Sequence, residues 1–309
     1  MSCKLSLEID ARLRYRAAMD NVFTEAEWQS ADGLTLYFRD YDSGEQARGR
    51  PPVVCLHGLT RNSRDFDALA RHVAQQGWRV IVPDMRGRGN SEYSEVSETY
   101  AVPTYIADVE ALLGQEGIAR FVSIGTSMGG LMTMLMAGEN AGRIAGALLN
   151  DIGPVVEQAG LSHIRGYIGQ GRSFPTWMHA ARSLEEAHGA AHPGFDTEDW
   201  IAMAKRSMTL CNNGRISFDY DMKIAEPFLA ADENAVPPDL WPAFAALADK
   251  PLVLVRGGVS QLLSEATFAE MQRRAPNADA VTVADTGHAP TLDEPEVRAA
   301  IDALLASIA

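Results

Sequence analysis

The chain has 309 residues, 46% hydrophobic and 22% charged, enough to bury a core in one large domain with room for an insertion. Its formal net charge of -14 argues against nucleic acid or an anionic membrane as the main partner. No run approaches the ~20 apolar residues of a membrane span, the stretch from Met1 to Phe23 lacks the apolar core of a signal peptide, and three scattered cysteines imply no disulfide framework, so a cytoplasmic protein is expected.

Residues 34–41 alternate and predict an early strand, and the polar, glycine-containing stretch 43–50 reads as a hairpin connection. Residues 52–57 form a continuous apolar run, the mark of a central strand in a parallel sheet. A helix follows over 66–76 and stops at Gly77, and 78–83 is the next strand. Residues 105–115 read as a helix, 121–124 as a short buried strand, 128–137 as an apolar helix and 144–150 as a further strand. Residues 252–256 and 280–283 complete the strands, and 296–308 is a closing helix. Strands alternating with helices at this spacing predict an α/β protein with a doubly wound, mostly parallel sheet. Between Pro154 and Pro251 no strand of the buried type is legible, and the aromatic and methionine residues there lie on helical stretches. The expected division is a core of residues 1–153 and 236–309 with a helical cap inserted at 154–235.

The chemistry concentrates in Gly125-Thr126-Ser127-Met128-Gly129. A G-x-S-x-G sequence between a strand and a helix is a nucleophile elbow, a tight turn that projects the serine hydroxyl above the sheet. The glycines are needed because strand and helix backbones approach too closely for side chains. The plain alternative is a serine in an ordinary strand-to-helix turn. A serine hydroxyl is a poor nucleophile at neutral pH and needs a base. Of the seven histidines, His288 alone lies on a loop after a late strand, in Asp285-Thr286-Gly287-His288-Ala289-Pro290. His72, His163, His179, His188 and His192 fall on helices or in the cap, where surface or packing roles are expected. With an elbow come two backbone N–H donors for an oxyanion: Met128, after the nucleophile, and Leu59, in the loop after an earlier strand. His57 is expected to buttress that loop. Arg61 and Asn62 either line the pocket or face solvent.

These segments, with Asp84-Met85-Arg86-Gly87-Arg88-Gly89-Asn90-Ser91, resemble the α/β-hydrolase superfamily over residues 53–292. The glycine-rich segment reads as structural, with Asp84 and Arg86 making local hydrogen bonds. The resemblance implies hydrolysis of esters, amides, lactones or carbon–carbon bonds through an acyl-serine. In such relatives an acid commonly follows the penultimate strand. Here the matching stretch is Arg256-Gly257-Gly258-Val259-Ser260-Gln261, with Gln261 at the acid position. Asp151, just past the strand after the nucleophile strand, is the first candidate replacement, and a loop-capping role is its alternative. Glu265 and Asp285 are weaker candidates. A triad disabled by Gln261 comes next, because a neutral group in the acid's place costs about 10⁴ in turnover.

The cap's aromatic and methionine content suggests an apolar pocket, with Phe174, Trp177 and Met178 as candidate walls, although the same residues can pack the cap. No metal-ligand spacing, P-loop or dinucleotide fingerprint is present, so neither metal nor cofactor is implied. The expected activity is cleavage of a small apolar carboxylic ester or lactone. The alternatives are a carbon–carbon hydrolase of vinylogous diketones and a catalytically weakened ligand-binding protein. Oligomeric state is not legible.

Overall fold

The computed structural model describes residues 22–42, 44–47, 49–231 and 237–308. The readings of the first residues as free of a signal sequence, and of the return to the core near residue 236, lie outside them. The strands and helices in chain order are β1 (Thr24–Gln29), β2 (Thr35–Tyr41), β3 (Val53–Leu56), α1 (Asp67–Gln75), β4 (Val80–Pro83), α2 (Val102–Gln115), β5 (Phe121–Thr126), α3 (Met128–Asn140) and β6 (Ile144–Asn150). Then come α4 (Gln158–Tyr167), β7 (Ser173–Phe174), α5 (Trp177–His188), α6 (Thr197–Ser207), β8 (Met208–Leu210), β9 (Ile216–Phe218) and α7 (Ala225–Ala230). The chain closes with α8 (Trp241–Ala245), β10 (Leu252–Gly257), α9 (Glu265–Arg274), β11 (Asp279–Val283) and α10 (Pro295–Ala306).

Eight strands form one sheet in the order β1-β2-β4-β3-β5-β6-β10-β11. β2 runs antiparallel to both its neighbours, and every pairing from β4 to β11 is parallel. Alternation along each strand sorts the core into two layers. Val53 and Cys55 point to the face covered by α1 and α10, with Leu69, Val73, Ile301 and Leu304. Val54 and Leu56 point to the face covered by α2, α3 and α9, with Val109, Leu112, Met132 and Met271. The registers Leu56↔Gly125, Thr126↔Asn150 and Val255↔Asn150 bring the carboxyl ends of β3, β5, β6 and β10 to one level. The loops beyond those ends therefore meet, as they do in open parallel sheets that carry sites.

The stretch read as a hairpin connection is instead a crossover. Gly44–Ala47 is a 3-10 turn, and β3 pairs with β4 and β5 rather than with β2. β1 and α8 were not legible in the sequence because they are short or carry mixed polar patterning, whereas the helix expected at Glu265 is α9. The segment between β6 and β10 stays outside the large sheet, but it is not wholly helical: β7, β9 and β8 form a three-stranded antiparallel sheet. Two- and three-residue strands are too short to show periodicity. This segment has its own small core of Ala180, Ala181, Leu184, Trp200, Met203, Ala204, Met208 and Ile216.

Candidate active site

Ser127 sits between β5 and α3 with φ 53° and ψ -115°, backbone that L residues rarely adopt. The surrounding glycines explain how so tight a turn is tolerated. A Cβ on Gly129 would lie 2.0 Å from the Leu56 carbonyl oxygen, and one on Gly125 would lie 2.5 Å from the Gly129 backbone. Only bare backbone lets α3 start this close to β3.

The Ser127 hydroxyl is 2.8 Å from His288 Nε2, and His288 Nδ1 is 2.7 Å from Asp151 Oδ2. With Nε2 accepting from the serine, Nδ1 carries the proton and donates to the carboxylate. Asp151 is fully buried, and its φ of 54° turns it back toward β10 just after β6 ends. Its Oδ1 accepts from the Gly257 N–H at 2.8 Å, and its Oδ2 accepts from the Ser260 hydroxyl at 2.7 Å. A buried carboxylate with three donors is compensated for its lost hydration. Gln261, one residue past Ser260, is exposed, as are Glu265 and Asp285. The Ser260 stretch thus supplies a hydroxyl to the carboxylate rather than a carboxylate of its own.

The His288 loop is tied at both ends. The Gly287 N–H donates to the Ala191 carbonyl, and Asn150 Nδ2 donates to the Pro290 carbonyl at 2.9 Å. A Cβ on Gly287 would meet Ala191 at 2.6 Å, and one on Gly257 would meet the Gly287 carbonyl oxygen at 2.4 Å.

Leu59 and Met128 flank the serine, and their N–H groups have no acceptor among the described residues. Arg88 Nε donates to the Leu59 carbonyl at 2.9 Å, which fixes the Leu59–Thr60 peptide. His57 braces the loop from inside: the Met85 N–H donates to Nε2, so Nδ1 is protonated and donates to the Gly58 carbonyl. Burial pushes the His57 ring down to about 4, so it is neutral at ordinary pH. Asn62 is buried and caps the following turn rather than lining the pocket. Arg86 makes distant rather than local contacts, pairing with Asp108 and Asp32.

Above the serine lies a cavity of about 150 Å³. Arg61 lines it and forms a two-point ion pair with Asp65. Burial alone would raise the Asp65 carboxyl, but the Arg61 charge and hydrogen bonds outweigh it and hold it below its ordinary value. The other side of the cavity comes from the inserted segment: Ile164, Tyr167, Leu184, His188, His192, Met203, Arg206 and Ser207. Phe174, Trp177 and Met178 are not among the lining residues, which corrects the expected walls. Phe174 and Trp177 pack on the segment's own core, and Met178 is 38% exposed. The helical spacing explains why: Trp177, Ala180, Ala181 and Leu184 share the face of α5 that is buried in that core. Nor is the lining simply apolar. His188, His192 and Arg206, which no motif singled out, stand around the cavity because α5, the turn after it and α6 fold over the sheet. Cys211 is disulfide-bonded, where the three scattered cysteines implied no disulfide framework. Among the described residues no helix is long and apolar enough to cross a membrane, and no cluster of His, Cys, Asp and Glu could hold a metal ion.

Comparison with known proteins gives consistent matches. The family described as alpha/beta hydrolase fold matches residues 51–295. An alpha/beta hydrolase from Novosphingobium aromaticivorans superposes with a TM-score of 0.87 at 55% identity, covering 92% of this chain and 98% of that one. A 3-hydroxybutyrate-oligomer hydrolase from Cupriavidus necator is 33% identical over 82% of this chain and 88% of its own length. The sn-1-specific diacylglycerol lipase ABHD11 of Mus musculus is 27% identical over 80% of this chain and 78% of its own.

Proposed function

The chain belongs to the α/β-hydrolase fold family, and from that membership we propose that it is a serine hydrolase cleaving a small carboxylic ester or lactone through an acyl-serine intermediate. The observation that carries this reading is the unbroken hydrogen-bond chain from Ser127 through His288 to Asp151, with Ser127 and His288 lining the cavity.

In the proposed reaction Ser127 Oγ attacks the ester carbonyl while its proton passes to His288 Nε2. The Asp151 carboxylate stabilises the imidazolium and keeps it oriented. The Leu59 and Met128 N–H groups hold the tetrahedral oxyanion, each such donor contributing about 3 kcal/mol to the transition state. Collapse breaks the carbon–oxygen bond, and His288 returns the proton to the leaving alkoxide. His288 then draws a proton from water, whose oxygen attacks the acyl-serine. The acid is released, and Ser127 recovers its proton.

The cavity lies below the roughly 300 Å³ lower end of drug-sized sites, which favours a small substrate. An ester bond is also what joins the units of a hydroxy-acid oligomer, the material in the name of the Cupriavidus necator relative. The ligand-binding alternative rested on Gln261 in the acid's place. Its ground weakens with Gln261 exposed and Asp151 on the imidazole.

The test pairs labelling with turnover. A fluorophosphonate should modify the protein at Ser127, and short-chain nitrophenyl esters should be hydrolysed. Ser127→Ala should lose both while its circular dichroism and melting stay unchanged. Retained turnover in that variant overturns the mechanism.

A further inference from the structure

Two features of the cavity wall are not used by the proposed chemistry. The first is charge. Of the charged groups that line it, Arg61 is neutralised by its two-point pair with Asp65. Arg206 comes no nearer than 3.9 Å to that same carboxylate, and no hydrogen bond from its guanidinium is satisfied among the described residues. The cavity surface therefore holds two cations and one anion, because Asp151 lies beneath it with all its donors already in place. The second is His192, which lines the cavity at 5% exposure with Nδ1 buried and without a partner among the described residues.

We propose that Arg206 and His192 form a carboxylate subsite, so that the substrate is an ester bearing a free carboxylate. Arg206 supplies the charge and a planar donor edge suited to a carboxylate. His192 supplies a neutral N–H donor, because burial, reinforced by the nearby Arg61, His288 and Arg206, holds its ring at about 4. His188 and Tyr167, whose rings pack edge to face, close the same wall. A positively lined cavity in a chain of net charge -14 stands against the sign of the whole molecule, as expected of a site selective for an anion.

This inference rests on the serine hydrolase reading, and its test separates the two. The probes are the 4-nitrophenyl monoester of glutaric acid, a monoanion at neutral pH, and the same ester with its free carboxyl methylated. The wild-type protein should favour the anionic ester by about tenfold to a hundredfold, mainly through KM, as a charge-assisted hydrogen bond implies. Arg206→Gln should bring the two esters within about twofold, and Arg206→Lys should keep part of the preference. Equal hydrolysis of both esters by the wild-type protein, or a full preference in a folded Arg206→Gln protein, overturns the subsite and leaves the hydrolase reading standing. If neither ester is cleaved, the hydrolase reading fails and binding decides the subsite. Monomethyl glutarate should then raise the melting temperature of the Ser127→Ala protein more than dimethyl glutarate does, and an equal effect overturns it.

Discussion

At the scale of single residues, the question is how an aspartate directly after β6 can serve a histidine loop that follows β11. Asp151 adopts a left-handed backbone, which turns its carboxylate across the end of β10 to meet the Gly257 N–H, the Ser260 hydroxyl and His288. Asn tolerates that backbone region better than most residues, so Asp151→Asn tests charge with little disturbance of the fold. Turnover of a nitrophenyl ester should fall by about 10⁴ in this variant. Gln261→Asp should leave turnover unchanged, because that side chain faces solvent. Recovery of activity in an Asp151→Asn, Gln261→Asp double variant would return the acid's role to the later strand.

At the scale of elements, the inserted segment is seated by the core loops. The Arg64 guanidinium donates to the Arg206 carbonyl at 3.0 Å, the Met208 carbonyl at 3.3 Å and Asp219 Oδ2 at 2.7 Å. These contacts fix the carboxyl end of α6, from which Arg206 enters the cavity. The glycine-rich loop adds the Gly89 N–H to the Asp219 carbonyl, while the Asp221 N–H returns to the Gly87 carbonyl. Arg64→Met keeps length and apolar bulk but removes all three donations and leaves Asp219 without its cation. We expect a loss of about 2 kcal/mol in urea unfolding and a raised KM for small esters. An unchanged KM would mean that α6 holds its place without Arg64.

At the scale of the whole molecule, three histidines, two of them buried and His188 partly so, resist taking a proton. His57, His188 and His192 are each held at about 4, with burial as the main cause. In the unfolded chain each binds a proton near 6.5. Between those values the unfolded chain holds more protons than the folded one, so stability is complete above about pH 6.5 and falls as the pH drops toward 4. For fully buried His57 the loss approaches about 3 kcal/mol once the pH reaches its folded value. Urea midpoints measured across this window should fall steeply, and His57→Asn, which removes one titrating group, should flatten the slope. A wild-type profile without slope between pH 6.5 and 4 would contradict this linkage.

Much of this protein is written locally. The apolar runs around Val53, Val122 and Leu148 set the parallel sheet, because strands covered on both faces have no polar side to show. The elbow glycines around Ser127 are likewise legible, since the backbones at that turn exclude any Cβ. Chain order placed Asp151 between serine and histidine but could not choose it over Gln261. That choice needed the level of β6 beside β10 and the backbone turn at Asp151, which only the assembled sheet supplies. The cavity wall was less legible still. Trp177 and Phe174 looked like pocket residues because they are large and apolar, yet apolar bulk is spent first on a segment's own core. His192 and Arg206 look like ordinary surface residues in sequence, and their place beside Ser127 is decided only when the inserted segment folds over the carboxyl ends of the strands.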